Sequence, residues 1–453
     1  MASTLCFYGG VGSVTGANFL LDTGTIAILV DCGLVQGDRF AQEVNAEPFA
    51  YNPADVDVLF VTHAHADHIG RVPKLIKDGF KGAIYSTEPT RELAHIMLRD
   101  ALKVMEFEQE KYGTEVIYDA GHIDKAMQVW KTVAYDESIV LDDGIKAHYT
   151  DAGHILGSGM LHIERNGKKI VFTGDIGNDP QPLLNPPVVP TEYDYMVMES
   201  VYGNRVHEEV KERTALLEHY IKEAQKKGGT LIIPAFSLER TQGMLLEINN
   251  LVESGRISPL PVFLDSPLAI AVTEVYRKYT HYLKSAVQEQ IKNGDDIFDF
   301  EGLSFTETKK DSQDIQKEKG AKIIIAGSGM SHGGRIRAHE KNFLGETNAT
   351  LLLVGYQAIG SLGRLLHDGA KKVRIDGEEV KVRAQIASIR GFSGHADRDQ
   401  LVSLVAHGGE KAKHIFVTMG EEASSLFLVQ RLRDYLGIKA TAPSLNEEVE
   451  IDF

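Results

Sequence analysis

The sequence predicts a mixed α/β chain of two domains, the second inserted into the first. Three patterns carry this expectation. Short runs rich in β-branched residues, punctuated by Gly or Asp, recur up to about Val201. From about Arg213 strand and helix signals alternate, as they do in a parallel sheet, and short strands return from Lys371. At 453 residues the chain also exceeds what one hydrophobic core usually spans.

In the first part, GTIAILVDCG, DVDVLFVTHA, KGAIYST, GIKAHYTDAGH and MLHIERNGKKIVFTGD read as strands that end in polar loops. Between them Leu93, Ile96, Met97, Ala101, Val104 and Met105 recur at helical spacing, which predicts a helix from Glu88 to Tyr112. The five prolines of DPQPLLNPPVVP exclude a helix or central strand and predict an ordered crossing loop. Residues 208–370 then read as an inserted α/β domain: helix from Arg213 to Lys226, strand TLIIPAF, helix from Thr241 to Ser254, and strands LPVFLD, AKIIIAGSG and NATLLLVGYQ. Residues 1–207 and 371–453 are expected to form the other domain, with strands KKVRI, VKVRAQIASI and HIFVTM and a final helix from about Glu422 that Gly437 stops.

With 43% hydrophobic and 25% charged residues, the composition is that of an ordinary soluble globular protein and excludes a disordered class. The start MASTLCFYGG lacks the basic and apolar segments of a signal peptide, and no run approaches the roughly 18 apolar residues of a membrane span. A cytoplasmic location without membrane contact is expected, with Cys6 and Cys32 reduced and buried. The net charge of −16 argues against a basic surface for duplex DNA, so a nucleic-acid substrate would have to be drawn by a local patch or by metal ions.

The chemistry concentrates in THAHADHIG, residues 62–70, directly after an apolar strand. His63 and His65, two apart, face one side of an extended loop, while His68 points elsewhere. That geometry favours two ions, and a pair of ions can bridge a water and clamp the entering and leaving oxygens of a phosphodiester. His154 in DAGHILGSG and Asp175 in VFTGDIG, at later strand ends, are further ligand candidates, Asp175 because a carboxylate can bridge. Asp31, after AILV, suits a carboxylate that orients a ligand histidine. The alternative, solvated loop residues sharing no site, is opposed by the packing of three of the 17 histidines into six positions.

H-x-H-x-D-H after a strand, with VDCG before it and GH and TGD elements after it, resembles the metallo-β-lactamase superfamily, whose fold is an αβ/βα sandwich with a dinuclear zinc edge. MESVYGNR, PAFSLERTQ, GSGMSHGGRI, LLLVGYQAIGSLGR and GFSGHAD further resemble its β-CASP branch of RNA-processing and some DNA-processing nucleases, similar to ribonuclease J and the pre-mRNA cleavage endonuclease. The resemblance implies an inserted α/β β-CASP domain and two Zn2+ held by His63, His65, Asp67, His68, His154 and Asp175. It also implies that His395 protonates the leaving oxygen with Glu199 as its hydrogen-bond partner. Chemistry independently wants such a group, because attack by metal hydroxide leaves an alkoxide to be expelled.

One position departs from the pattern. The family's last metal ligand is a histidine in an H-G-E element, where this chain has Met419 in HIFVTMGEEA. A thioether is a weak ligand for zinc, so the second site, with Asp67, His68 and the shared Asp175, is one ligand short. Glu421 or solvent are candidates to fill it; His407 in AHGGE imitates the motif but precedes the strand. Met419 reads either as core packing or as altered metal chemistry.

For substrate, the turn at Ser328 and Gly329 with Arg335 can meet a phosphate, and Arg240, Arg364 and Ser393 are further candidates; a tight turn and ion pairs are the alternatives. The expectation is therefore a zinc-dependent phosphodiesterase acting on single-stranded RNA, endo- or 5′-exonucleolytic, in a cleft between the domains. Asp67 and Asp175 position the attacking group. The competing expectations are an RNA-binding scaffold with a weakened site, or a hydrolase of the same fold acting on DNA or a small ester. The short form of the family, without extra terminal domains, is indicated, and a homodimer would be ordinary.

Overall fold

The computed structural model describes residues 3–37, 40–207, 210–355, 357, 360–389 and 391–453. Two units divide it: residues 1–179, 185–206 and 395–453 form the first, and 180–184 with 207–394 the second. The start of the expected insertion at 208, Tyr356, Ala358 and Ile359 of LLLVGYQAIGSLGR, and Arg390 lie outside the described residues.

The first unit is built on two seven-stranded sheets. In one the order is Glu447–Ile451, Ser3–Gly9, Asn18–Asp22, Ala27–Val30, Val58–Phe60, Ala83–Ser86 and Trp130–Thr132. In the other it is Ala440–Thr441, His414–Val417, Tyr195–Met198, Lys168–Phe172, Gly159–Arg165, Lys146–Asp151 and Ile139–Val140. Apolar side chains from both, among them Phe7, Phe19, Phe60, Tyr149, Phe172 and Phe416, form one core between the sheets. A second cluster joins the far face of the second sheet to the helices Arg398–Gly408 and Glu422–Leu436. The αβ/βα sandwich expected from the sequence is therefore the fold, and the helix expected at 88–112 spans Glu88–Tyr112, capped by Thr87 and ended by Gly113 at φ 73°. Cys6 and Cys32 are both buried and free. None of the described helices is long and apolar enough to cross a membrane.

The second unit carries a six-stranded parallel sheet in the order Leu303–Phe305, Val262–Leu264, Lys322–Ala326, Thr230–Pro234, Thr350–Leu353 and Gln385–Ser388. Its central strands are buried along their whole length, as parallel strands covered on both faces must be. The return expected at Lys371 is displaced to His395. Lys372–Ile375 and Glu378–Lys381 pair only with each other, and Gln385–Ser388 adds to the parallel sheet beside Thr350–Leu353, so all three belong to the second unit.

Asp265, at the end of a strand of this sheet and fully buried, ties four side chains together. Its Oδ1 accepts from Arg335 at 2.7 Å and Thr306 at 2.8 Å, and its Oδ2 from Ser312 and His339, each at 2.6 Å. Arg335 also donates to the carbonyls of Thr306 and Glu307. The arginine expected at a phosphate is thus committed to an internal ion pair, because a buried carboxylate needs the charge more than a solvated one does.

In the first unit the segment after Ala27–Val30 cradles the histidine-rich loop. Cys32 N–H donates to His68 C=O at 2.8 Å, Leu34 N–H to Ala66 C=O at 2.9 Å, and Ala17 N–H to Asp67 C=O at 2.9 Å. The approach is so close that a β-carbon at Gly33 would stand 1.5 Å from the Asp67 carbonyl oxygen. This is the tertiary reason for glycine in VDCG.

Two outcomes are expected. Gly33→Ala displaces the loop that carries Asp67 and His68, and lowers stability by about 1–3 kcal/mol, as overpacking does; thermal melts and metal content check this. The Asp265 carboxyl is held down to about 2: burial opposes this, and the bonds from His339, Ser312, Arg335 and Thr306 override it. With an unfolded value near 3.9, its stabilisation is complete above about pH 4 and is lost as pH falls through about 2. Asp265→Asn should cost on the order of 3–5 kcal/mol at neutral pH. The gap to wild type should narrow in melts taken between about pH 4 and 2, and a constant gap contradicts the assignment.

Candidate metal centre

Most of the candidate side chains sit where a strand of the first unit gives way to a loop. His63 and His65 follow the strand Val58–Phe60, and Asp67 and His68 lie in the short helix Ala66–Ile69. His154 follows Lys146–Asp151, and its N–H donates to the Ser158 hydroxyl at 3.0 Å. Asp175 follows Lys168–Phe172 across Gly174, whose φ is 54°. Glu199 follows Tyr195–Met198, and His395 opens the returning segment, bridged to Gly177.

Four donor atoms converge. His65 Nδ1 lies 3.1 Å from His63 Nε2 and 3.2 Å from His154 Nε2. Asp175 Oδ2 stands 3.3 Å from His63 Nε2 and 3.4 Å from His154 Nε2. Donors around a tetrahedral ion with metal–nitrogen distances of about 2.0–2.1 Å stand about 3.3 Å apart, so these edges fit a cation at their centre. The other oxygen of Asp175, Oδ1, is 3.3 Å from His68 Nε2, and both are buried polar atoms without a hydrogen-bond partner. A divalent cation held by these two residues would satisfy both atoms. Asp67 joins His68 and Asp175 in a second group of potential ligands.

The outer partners fix the ring orientations. Asp31 accepts from His68 Nδ1 at 2.7 Å, which turns Nε2 towards Asp175. Asp31 also accepts from the Thr62 N–H and hydroxyl, each at 2.8 Å, and the Thr62 hydroxyl oxygen is 3.1 Å from His63 Nδ1. Asp31, expected to orient a ligand histidine, lies behind the His68 ring. Thr62 and Ser158 were not singled out from the sequence, although Thr62 begins the ligand run and a hydroxyl beside a ligand histidine was the available signal. Glu199 Oε1 accepts from the Ile176 N–H at 2.6 Å and stands 3.3 Å from His395 Nδ1.

Burial and charge sort the histidines. Burial lowers His63, His65 and His154 below the usual range, which favours the neutral imidazole that a metal requires. For His68, burial acts the same way but the carboxylates of Asp175 and Asp31 override it and raise the value well above 6.5. For His395, burial is likewise overridden by Glu199 and Asp175, and the value is about 9. Asp175 is driven well below the carboxylate range against its burial by His68 and His63, whereas burial raises Asp67.

The other residues expected to contact substrate all belong to the second unit. The Ser328 hydroxyl accepts from the N–H groups of His332 and Gly333, and Gly329 lies against the Phe236 ring. Arg364 pairs with Asp368 at 2.8 Å, one helical turn on. Arg240 begins the helix Arg240–Glu253, and Ser393 is buried. Of the two groups considered as substitutes for the missing ligand, Glu421 is exposed at the start of the last helix, and His407 is hydrogen-bonded to the Ser403 carbonyl within Arg398–Gly408.

Residues 12–201 match the metallo-beta-lactamase superfamily, 241–366 the Beta-Casp domain, and 379–443 the Zn-dependent metallo-hydrolase RNA specificity domain. Ribonuclease TTHA0252 of Thermus thermophilus is 35% identical over 422 residues, covering 93% of this chain and 94% of that protein. The RNase J-like protein of Methanocaldococcus jannaschii is 32% identical, covering 97% of each chain. Transcription termination factor FttA of Methanosarcina mazei is 30% identical over 98% of this chain and 71% of its own length. A crystal structure of a protein of unknown function from Enterococcus faecalis V583 superposes with a TM-score of 0.57 over the whole of both chains at 12% identity, a likeness of fold alone. With such coverage and with the expected ligand residues gathered at one edge of the sandwich, the chain belongs to the β-CASP branch of the metallo-β-lactamase superfamily and is a metal-dependent hydrolase of the RNA-processing kind.

Proposed function

We propose that this centre hydrolyses phosphodiester bonds of single-stranded RNA, with zinc as its resident metal and His395 as the proton donor. The observation that carries the reading is the placement of a carboxylate-oriented histidine beside a metal-type donor set. His395 Nδ1 is 3.3 Å from Glu199 Oε1 and 3.9 Å from Asp175 Oδ2. Three imidazoles and a carboxylate at tetrahedral edge lengths suit zinc.

Divalent ions held by His63, His65, His154, Asp175, Asp67 and His68 supply Lewis acidity towards a phosphoryl oxygen and lower the pKa of water. The chain's own part is positioning and proton transfer. Asp67 and Asp175 flank the reacting phosphate and orient the attacking oxygen. Glu199, with no side-chain exposure, fixes the Nδ1 side of His395, whose side chain is 25% exposed. The imidazole thereby turns a proton towards the departing oxygen, and Glu199 stabilises the charge it carries beforehand. The names of the ribonuclease and RNase J-like relatives support RNA as the substrate.

His395→Ala should lower cleavage of a 5′-labelled single-stranded RNA by about 10²–10⁴-fold. It should leave hydrolysis of bis(4-nitrophenyl) phosphate much less affected, since nitrophenolate departs without a proton. Asp175→Ala should abolish both. RNA cleavage by His395→Ala at the wild-type rate would remove the proton-donor role, and equal loss on both substrates would assign His395 to the metal site instead. Product lengths from the same labelled RNA separate endonucleolytic from 5′-exonucleolytic action.

A further inference from the structure

Three groups of candidate ligands meet at Asp175, one of them with Glu199 and His395, and the two that draw on the histidine-rich run are not equivalent. The first is complete within the protein: three imidazole nitrogens and Asp175 Oδ2 fill four tetrahedral corners. The second offers Asp67, His68 Nε2 and Asp175 Oδ1, and no fourth histidine, cysteine or carboxylate joins that group among the described residues. Its donors also differ in kind, with two carboxylate oxygens to one imidazole.

The surroundings explain why the set stops at three. A cavity of about 10 Å³ lies beside His68, lined on its polar side by Asp31, Thr173 and Glu199 and closed by Met419. That is close to the least volume that holds a water. Asp31 is committed to Thr62 and His68, and Glu199 to Ile176 and His395. Met419 is only 2% exposed and belongs to the apolar core with Phe7, Phe19 and Phe416. A β-carbon on Gly10 would come within 2.5 Å of its sulfur, so the thioether is seated in the notch that this glycine leaves. The backbone of Met419 is pinned on both sides, its N–H donating to Gly10 C=O at 2.7 Å and its C=O accepting from the Ser200 N–H at 3.2 Å.

We propose that the chain binds one zinc tightly at His63, His65, His154 and Asp175, and a second, harder divalent cation weakly and exchangeably at Asp67, His68 and Asp175. Oxygen-rich sets with solvent completing the shell suit ions such as Mn2+ or Mg2+, whereas the imidazole-rich set suits zinc. Occupancy of the second position then follows the free concentration of the ion, and Met419 is the residue that makes it so. The inference rests on the metal-dependent reading of the site and deepens it.

The test uses the full-length protein and metal counting, not turnover. After dialysis against metal-free buffer, wild type should retain one zinc per chain by elemental analysis. Added Mn2+ should then bind at one further position, read as loss of the free-ion electron paramagnetic resonance signal, without displacing the zinc. Met419→His, on the same pinned backbone, should retain two zincs through the same dialysis. Asp67→Ala should abolish the Mn2+ binding while keeping one zinc, and a thermal melt near that of wild type shows that this variant is folded. Two zincs retained by wild type, or none, would overturn the proposal, as would one zinc in a folded Met419→His. A wild-type chain that keeps one zinc, takes up Mn2+ and fails to cut RNA would instead sink the proposed substrate and leave the unequal centre standing.

Discussion

The site depends on a single buried carboxylate. Asp175 is 2% exposed, and its two oxygens stand 3.3–3.4 Å from the Nε2 atoms of His63, His68 and His154, with His395 Nδ1 at 3.9 Å. Taking a carboxylate out of water costs several kcal/mol unless partners compensate. Here the partners come from three separate stretches of the chain, the loop and short helix after Val58–Phe60, the loop after Lys146–Asp151 and the segment that opens at His395, so the charge can be stabilised only when the sandwich has assembled. Fold and site are therefore coupled: the sheets place the histidines, and the histidines make the buried charge tolerable.

The same carboxylate divides the histidines by task. His63, His65 and His154 surround one face of Asp175 and crowd each other, so burial and mutual repulsion keep them neutral. His68 and His395 each have a second carboxylate behind the ring, Asp31 and Glu199, and are biased towards the charged form. The charge on His395 suits a proton donor, whereas His68 would have to release its Nε2 proton to hold an ion. For His68 the carboxylate behind the ring also fixes which nitrogen faces the centre, a requirement for a ligand. One arrangement of acids behind imidazoles thus serves both orientation and proton supply.

What the sequence disclosed follows from how far each feature depends on contacts remote along the chain. The histidine-rich run is legible because four potential donors lie within six residues, and the sandwich strands because Gly and Asp punctuate them. The glycines that let the loops approach were not: Gly33 is needed because the Asp67 carbonyl packs against it, and Gly177 because the Gly153 carbonyl does. The return to the first domain was placed at Lys371 because KKVRI and VKVRAQIASI alternate like the earlier strands. Alternation says that a segment is a strand and nothing about which sheet accepts it, and Gln385–Ser388 joined the parallel one. Arg335 was read as a phosphate contact because Asp265, its partner, lies 70 positions away and has no motif of its own.

Met419 serves the core of the sandwich. An imidazole at that position would join the apolar cluster, and without an ion to bind it would leave a polar ring there, at a cost of roughly 1–3 kcal/mol. Methionine buries a flexible thioether there instead, which stabilises the core by about 1.5–3 kcal/mol relative to exposure and tolerates the irregular notch at Gly10. The sandwich therefore stays well packed beneath the second ligand group whether or not an ion is bound. A chain with a net charge of −16 must also draw a polyanion through local positive charge. The exchangeable cation proposed at the Asp67 edge would add to that charge in step with the supply of metal and not with the fold.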